Sequence, residues 1–92
     1  MNDIDNIMKK LDWNASEKDK KTGIELAKQV KNIEYFIQPC DAKYNKNVWD
    51  CCAIILHNRT DEELEPYIDK LLQWLQDANW PGFNTIFDRI SN

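Results

Sequence analysis

Glycine and proline are scarce in this chain of 92 residues, which contains two glycines and three prolines. β-Sandwiches need many turns, and disordered chains are commonly rich in these residues, so the scarcity argues against both classes. Hydrophobic residues make up 42% of the chain, which is enough to build one core. We therefore expect one folded domain over residues 1–92.

The sequence also lacks a long apolar run and a secretion signal. No stretch approaches the ~18 apolar residues that a membrane-spanning helix needs, and the N-terminal residues include acids but no basic group. Cys40, Cys51 and Cys52 form an odd set without the spacing of a disulfide scaffold. These absences predict a cytoplasmic protein that does not enter a membrane.

Residues that could support catalysis or hold a metal are few. Apart from the cysteines, His57 is the one soft metal ligand, and the spacings typical of zinc sites are absent. No glycine-rich phosphate loop or Gly-x-Ser-x-Gly motif occurs. The carboxylates between residues 61 and 77 could act as acids or bases only if desolvated, whereas a cap and a polar helix face predict solvation. We expect no catalytic residue, metal or cofactor.

Charge is distributed unevenly along the chain. Residues 1–47 contain nine lysines against eight acids, giving +1, whereas residues 48–92 contain three basic residues against eight acids, giving −5. The two halves sum to the formal net charge of −4. An acidic half repels phosphate backbones, so nucleic-acid binding is disfavoured. The acidic half is either a solvated surface or one that attracts a basic partner.

Apolar residues recur at helical spacing in five places, which predicts an all-α fold of about five short antiparallel helices. Ser16 and Thr60 are predicted to cap helices, Thr60 in a capping box with Glu63, and Asn47 can cap the third helix. Gly23 could let another helix approach closely. The five helices are predicted over residues 4–11, 16 to about 31, 48–57, 66 to about 76, and 81 onward.

The predicted buried stripes follow from the same periodicity. Residues 33–37 are predicted to form a short helical turn or an extended connector, and residues 40–46 the longest loop. In the fourth helix Trp74 is predicted to flank the buried stripe. The stripes consist of Ile4, Ile7, Met8 and Leu11; Ile24, Leu26, Ala27 and Val30; Val48, Trp49, Cys52, Ala53, Ile55 and Leu56; Ile68, Leu71, Leu72 and Leu75; and Phe83, Ile86, Phe87 and Ile90.

The most distinctive segment joins the last two predicted helices over residues 74–82. Asp77 and Asn79 can hydrogen-bond free backbone groups between the helices, and Pro81 suits the first position of a helix. Trp74 and Trp80 could wedge the junction. The alternative is that the tryptophans belong to a partner-binding hot spot, where this residue type is enriched.

Three stretches in the second half resemble a bacterial family of uncharacterised, HEAT-like helical domains. They are Trp49-Asp50-x-Cys52-Ala53, residues 60–67, and a Trp-Leu-x-Asp-x-Asn-Trp-Pro-Gly signature over residues 74–82. The resemblance covers residues 47–91. Some members of that family are similar to the immunity proteins encoded beside polymorphic toxins. The resemblance therefore implies a HEAT-like helical stack that binds a protein.

Together these observations predict a protein-binding module, with an immunity protein that occludes a basic toxin domain as the leading interpretation. The residues expected to contact the partner are Asp61, Glu62, Glu65, Asp69, Asp77 and Trp80. One alternative is a structural or scaffolding helical domain that has no toxin partner and could self-associate. A second alternative is a small hydrolase, which would need a pocket that gathers Asp77, His57 and a cysteine.

Overall fold

The computed structural model describes residues 4–38 and 46–91, and every regular element within these two ranges is helical. The predicted all-α class is confirmed. The residues between Asp61 and Trp74 are helical without a break, so the described chain forms five helical rods joined by turns and short 3-10 segments. The α-helices are α1 (Ile4–Leu11), α2 (Glu17–Ala27), α3 (Trp49–His57), α4 (Asp61–Leu64), α5 (Ile68–Trp74) and α6 (Phe83–Ser91).

Helices α1 and α2 pack against each other as a hairpin. The predicted stripe of α1 is confirmed, because Ile7, Met8 and Leu11 are buried. Ser16 caps α2 by accepting a hydrogen bond from the backbone N–H of Asp19 at 3.1 Å. The close approach expected at Gly23 is also present, since a Cβ at this position would lie 2.8 Å from Leu11 Cδ2.

Helix α2 ends at Ala27, about one turn before the predicted end near Lys31. After Ala27 the backbone continues with i→i+3 hydrogen bonds, from the Gln29 N–H to the Leu26 carbonyl and from the Val30 N–H to the Ala27 carbonyl. Arg59 donates hydrogen bonds to the carbonyl oxygens of both Ala27 and Val30. The residues Ile33–Phe36 that follow form a 3-10 turn, which agrees with the predicted short helical turn and not with the alternative of an extended connector.

Helix α3 is the centre of the fold and packs against α2, α6 and the 3-10 turn at Ile33–Phe36. Its predicted stripe is confirmed, and Cys51 is buried as well. The prediction that Asn47 caps this helix was wrong. A 3-10 turn at Lys46–Val48 leads into α3, so the capping position falls on Val48, whose side chain makes no capping hydrogen bond.

Helices α4 and α5 form one rod, α4–α5, because the 3-10 turn Glu65–Tyr67 joins them. The predicted capping box is present, with Thr60 and Glu63 each bonding the other's backbone N–H. Pro66 lies at the start of the 3-10 turn, where its missing N–H is tolerated. Helix α5 therefore begins at Ile68, two residues after the predicted start, and ends at Trp74 rather than near Gln76.

The buried face of α4–α5 differs from the predicted stripe. Leu71 is buried as predicted, but Trp74, expected at the flank, is completely buried, and Leu64 joins it. Ile68 and Leu72 are exposed instead. The face is rotated because the Trp74 indole lies edge-on against Trp49, with ring centroids 5.8 Å apart. This contact places the opposite edge of α5 toward solvent.

The chain turns sharply between α5 and α6. The prediction that Pro81 opens the last helix was wrong, because α6 begins at Phe83 and Pro81 belongs to the turn. Gly82 has a positive φ of 84°, and a Cβ there would lie 2.9 Å from both Ala53 Cβ and Trp74 Cζ2. A glycine is therefore required where the turn passes over the core.

Helix α6 buries one residue of its predicted stripe, Ile86, and packs against α3. Phe83 and Ile90 are partly buried, whereas Phe87 is exposed and stacks on Phe83 with ring centroids 5.9 Å apart. No helix among the described residues is long and apolar enough to cross a membrane. Cys40 and most of the predicted loop at residues 40–46 lie outside the described residues.

Candidate partner-binding surface

The α4–α5 rod carries four of the six side chains expected to contact a partner. Asp61, Glu62, Glu65 and Asp69 are all exposed. Glu62, Glu65 and Asp69 form no salt bridge with any residue in the described ranges. Uncompensated carboxylates on one rod produce a local negative potential that a basic protein surface would complement.

Asp61 differs from the other three because it has a cationic partner. The guanidinium of Arg89, on α6, donates hydrogen bonds to Asp61 Oδ1 at 2.6 Å and to the backbone carbonyl of Arg59 at 3.0 Å. The Asp61 side chain is 85% exposed, so this pair contributes little to stability. It does tie the C-terminal part of α6 to the start of α4.

The basic residues of this half are occupied within the molecule. Arg59 pairs with Glu63, with 2.9 Å between Nη1 and Oε2, and Arg89 pairs with Asp61. Lys70 pairs with Glu34 and thereby joins α5 to the 3-10 turn at Ile33–Phe36. Because all three cations are used in internal bridges, they neutralise Glu63, Asp61 and Glu34 rather than Glu62, Glu65 or Asp69.

A groove of about 320 Å³ lies between the α4–α5 rod and the C-terminal part of α6. We refer to it as the α5–α6 groove. Asp61 and Glu65 line it together with Arg89, whereas Glu62 and Asp69 do not belong to its lining. Its other lining side chains are aliphatic: Leu64, Ile68, Leu71 and Ile90.

Three apolar side chains of α5 and α6 that the sequence pattern assigned to the core are exposed, and one of them, Ile68, lines the groove. Ile68 is 41% exposed, and Leu72, one helical turn further along α5, is 48% exposed. Phe87, which precedes Ile90 on α6, is 52% exposed. Helical spacing shows that a helix has an apolar stripe, but it does not show how a contact with a distant tryptophan rotates the helix about its axis. No signal in the sequence could therefore have identified these residues as surface residues.

Asp77 and Trp80, the remaining two expected contact residues, lie in the turn after α5 and not in the α5–α6 groove. Asp77 Oδ1 accepts a hydrogen bond from the backbone N–H of Asn79 at 2.9 Å, which is the predicted use of this carboxylate. Trp80 is half-buried and lies edge-on against Trp49, with centroids 5.7 Å apart. This geometry fits the wedge interpretation while leaving part of the indole accessible.

The groups that the hydrolase alternative needs have other partners. His57 Nε2 lies 3.0 Å from Asp88 Oδ2, so the ring joins α3 to α6. Cys52 is fully buried, and its thiol contacts the Met8 sulfur at 3.9 Å. Burial raises the pKa of both the Cys51 and the Cys52 thiol, which disfavours a thiolate nucleophile at either position. The part of the chain that the structure describes holds no group of three potential metal ligands.

Comparison with known proteins yields one family. The family described as Domain of unknown function (DUF5071) matches residues 44–92, just over half of the chain. The matched range contains the whole of α3 to α6 and therefore the α5–α6 groove. No curated protein and no solved structure matches the chain.

Proposed function

The chain belongs to the family of domains of unknown function DUF5071, and we propose that it is a protein-binding module that neutralises a basic toxin domain. The observation that carries the proposal is the pairing of uncompensated carboxylates with exposed apolar side chains on the α4–α5 rod. Glu65 and Ile68 share the α5–α6 groove, and Leu72 continues the apolar edge. Acidic groups accelerate encounter with a basic partner, and apolar side chains retain it.

Two further features support this proposal. Toxins that act on nucleic acids carry positive charge to bind phosphates, which would match an acidic surface. The resemblance to HEAT-like domains and immunity proteins that we expect from the sequence would imply the same class of partner. We place the module in the cytoplasm, because Cys51 and Cys52 are free thiols and disulfides form mainly in oxidising compartments.

The proposal is tested by capture followed by neutralisation. The tagged chain is used as bait in an extract of its host, and captured proteins are identified by mass spectrometry. The candidate partner is then expressed alone and together with the chain. We expect a basic protein that arrests growth when expressed alone and permits growth when the chain is present.

The matched control is a bait in which Glu62 and Glu65 are both replaced by Gln, which keeps the shape of the rod and removes two of its negative charges. It should capture less of the partner at low ionic strength and protect less well. A scaffolding domain would behave differently. If sedimentation shows concentration-dependent self-association and no captured protein is neutralised, the self-associating alternative replaces the present proposal.

A further inference from the structure

We infer that the α5–α6 groove receives an amphipathic, basic helical segment of the partner, with one large apolar side chain inserted between Ile68 and Ile90. This inference rests on the proposed function and names the chemistry that would occupy its site. Three properties of the groove lead to it: an aliphatic floor, an uncompensated carboxylate at its edge, and a neighbouring apolar turn of α5.

The floor of the groove is chemically uniform. Leu64 and Leu71 are buried beneath it, and Ile68 and Ile90 form its accessible walls. Its volume of about 320 Å³ is at the lower end of the ~300–1,000 Å³ typical of small-molecule pockets. Such pockets also hold a few polar groups placed to bind a ligand, whereas two of the three polar lining residues here, Asp61 and Arg89, are bonded to each other. An inserted apolar side chain fits this floor better than a polar metabolite does.

The charge around the groove favours a partner segment that carries a Lys or Arg close to the inserted apolar side chain. Arg89 is already bonded to Asp61 and to the Arg59 carbonyl, so its charge is balanced within the molecule. Glu65 makes no salt bridge with a described residue and is the carboxylate left to pair with an incoming Lys or Arg. An acidic or neutral segment would leave this charge uncompensated and partly desolvated, which is costly.

The helical form of the segment follows from the spacing of the exposed residues. Ile68 and Leu72 are one helical turn apart, about 6 Å along the α5 axis. A partner helix laid along α5 presents apolar residues at the same i and i+4 interval, which is the arrangement used when helices bind in grooves. A basic residue on the adjoining turn would then reach Glu65.

The test is a selection from a display library of random twelve-residue peptides on the immobilised full-length chain. Enriched peptides are synthesised, and their affinities are measured by fluorescence anisotropy. We expect them to combine Lys or Arg with large apolar residues at i and i+4. Ile68→Ser should weaken binding at least tenfold, and Leu72→Ser should weaken it as well, which covers the case in which one variant folds poorly.

Ile54 supplies a matched control, because it is the same residue type with the same 41% exposure but lies on α3, outside the groove. Ile54→Ser should leave peptide affinity within about twofold of the original chain. Glu65→Gln should weaken binding and reduce its salt dependence, whereas Glu17→Gln on α2 should not. The inference is overturned if the enriched peptides are acidic or lack basic residues, if no peptide is enriched, or if Ile54→Ser is as harmful as Ile68→Ser.

Two other outcomes separate this inference from the proposed function. A neutralised partner whose affinity falls on charge removal at Glu62 and Glu65 but not in Ile68→Ser would uphold the function and refute the groove. Self-association that Ile68→Ser abolishes would show that a second copy occupies the groove, which also refutes the inference.

Discussion

Arg59 donates a hydrogen bond from its guanidinium to the backbone carbonyl of Ala27, the last residue of α2, at a distance of 2.8 Å. The same nitrogen donates to the Val30 carbonyl at 2.9 Å, and the other terminal nitrogen pairs with Glu63. The last carbonyls of a helix have no partner within it, and Arg59 bonds the last carbonyl of α2 together with the Val30 carbonyl three residues beyond the helix. Arg59 thereby ties α2 to the start of α4.

Replacing Arg59 should destabilise the fold substantially. Its side chain is only 11% exposed, and Arg59→Met would leave two carbonyls without their charged donor. We expect a loss of about 2–4 kcal/mol in the free energy of unfolding, measured by urea denaturation. Arg59→Lys should recover part of the loss, because an ammonium group cannot span all three acceptors.

The control for Arg59 is Lys28→Met. Lys28 also pairs with a glutamate, Glu25, at 3.0 Å, but its side chain is 54% exposed. Its loss should change stability by less than about 0.5 kcal/mol. Similar losses in the two variants would contradict the assignment of Arg59 to a bridge between α2 and α4.

The capping box makes stability depend on the protonation of Glu63. The Thr60 backbone N–H and the Arg59 guanidinium stabilise the carboxylate and hold the Glu63 pKa below its ordinary value of 4.5. A group whose folded-state pKa is lowered contributes stability above its unfolded pKa and loses it as the pH falls through the folded value. The contribution should therefore be complete above about pH 5, above the ordinary pKa of 4.5, and should be lost as the pH falls from there through the lowered folded-state pKa.

Glu63→Gln isolates this effect, because glutamine retains a capping oxygen and cannot titrate. We expect the stability difference between the two proteins to be below about 1 kcal/mol at neutral pH, since the Glu63 side chain is 40% exposed. The difference should shrink toward zero on acidification, as followed by thermal unfolding between pH 3 and pH 7. If the stability difference between the two proteins grows as the pH falls, the assigned role of the Glu63 carboxylate is contradicted.

The two glycines of the chain have different surroundings, so replacing each by alanine should change the free energy of unfolding by different amounts. Gly82→Ala introduces a Cβ at a φ of 84°, against Ala53, Trp74 and a backbone oxygen 3.0 Å away. We expect a loss of more than about 2 kcal/mol, because backbone strain adds to the clash. Gly23→Ala also meets Leu11 and Lys10 closely, but a helical alanine recovers up to ~1 kcal/mol of intrinsic propensity.

Chemical denaturation should therefore rank Gly82→Ala as clearly less stable than Gly23→Ala. The reverse order would mean that the α5–α6 turn relaxes around a side chain more easily than the α1–α2 contact does.

Trp74 and Trp80 are buried to different extents, so replacing each by alanine should reduce stability by different amounts. Trp74 is fully buried, and its indole N–H donates to the Pro81 carbonyl at 2.9 Å, whereas Trp80 is half-buried. We expect Trp74→Ala to cost roughly 3–5 kcal/mol and Trp80→Ala about 2–3 kcal/mol. A near-neutral Trp80→Ala would show that its contact with Trp49 contributes little and that the ring is available to a partner.

The sequence pattern correctly predicted the parts of the fold that depend on residues close together in the chain. The cap at Ser16, the capping box at Thr60 and the buried stripes of α1 and α3 depend on spacing alone, and the structure confirms all four. The distinctive segment over residues 74–82 has a physical explanation, because the Trp74 indole N–H donates to the Pro81 carbonyl and Gly82 lies against the Trp74 ring.

Contacts between distant residues account for what could not be predicted. Arg59 bonds the last carbonyl of α2 across 32 residues of sequence, and the Trp49–Trp74 contact rotates α5 so that Ile68 and Leu72 reach the surface. The acidic residues of the candidate surface could be named from charge counts. The apolar half of that surface required the tertiary packing, since the same spacing describes a buried and an exposed stripe.

The last prediction concerns electrostatic steering by the α4–α5 rod. Reversing Glu62 and Glu65 to Lys changes the local charge by four units in two exposed positions that make no salt bridge with a described residue, so stability should change little. If the rod steers a basic partner, stopped-flow association should slow at least tenfold at low salt, and its dependence on ionic strength should flatten. The dissociation rate should change less, because steering acts before the apolar contacts form. The matched control reverses Glu17 and Glu25, two exposed glutamates on α2, which also changes the charge by four units and should leave association within about twofold. An association rate that is insensitive to the double reversal would place the partner elsewhere on the molecule, even if the same partner is still neutralised.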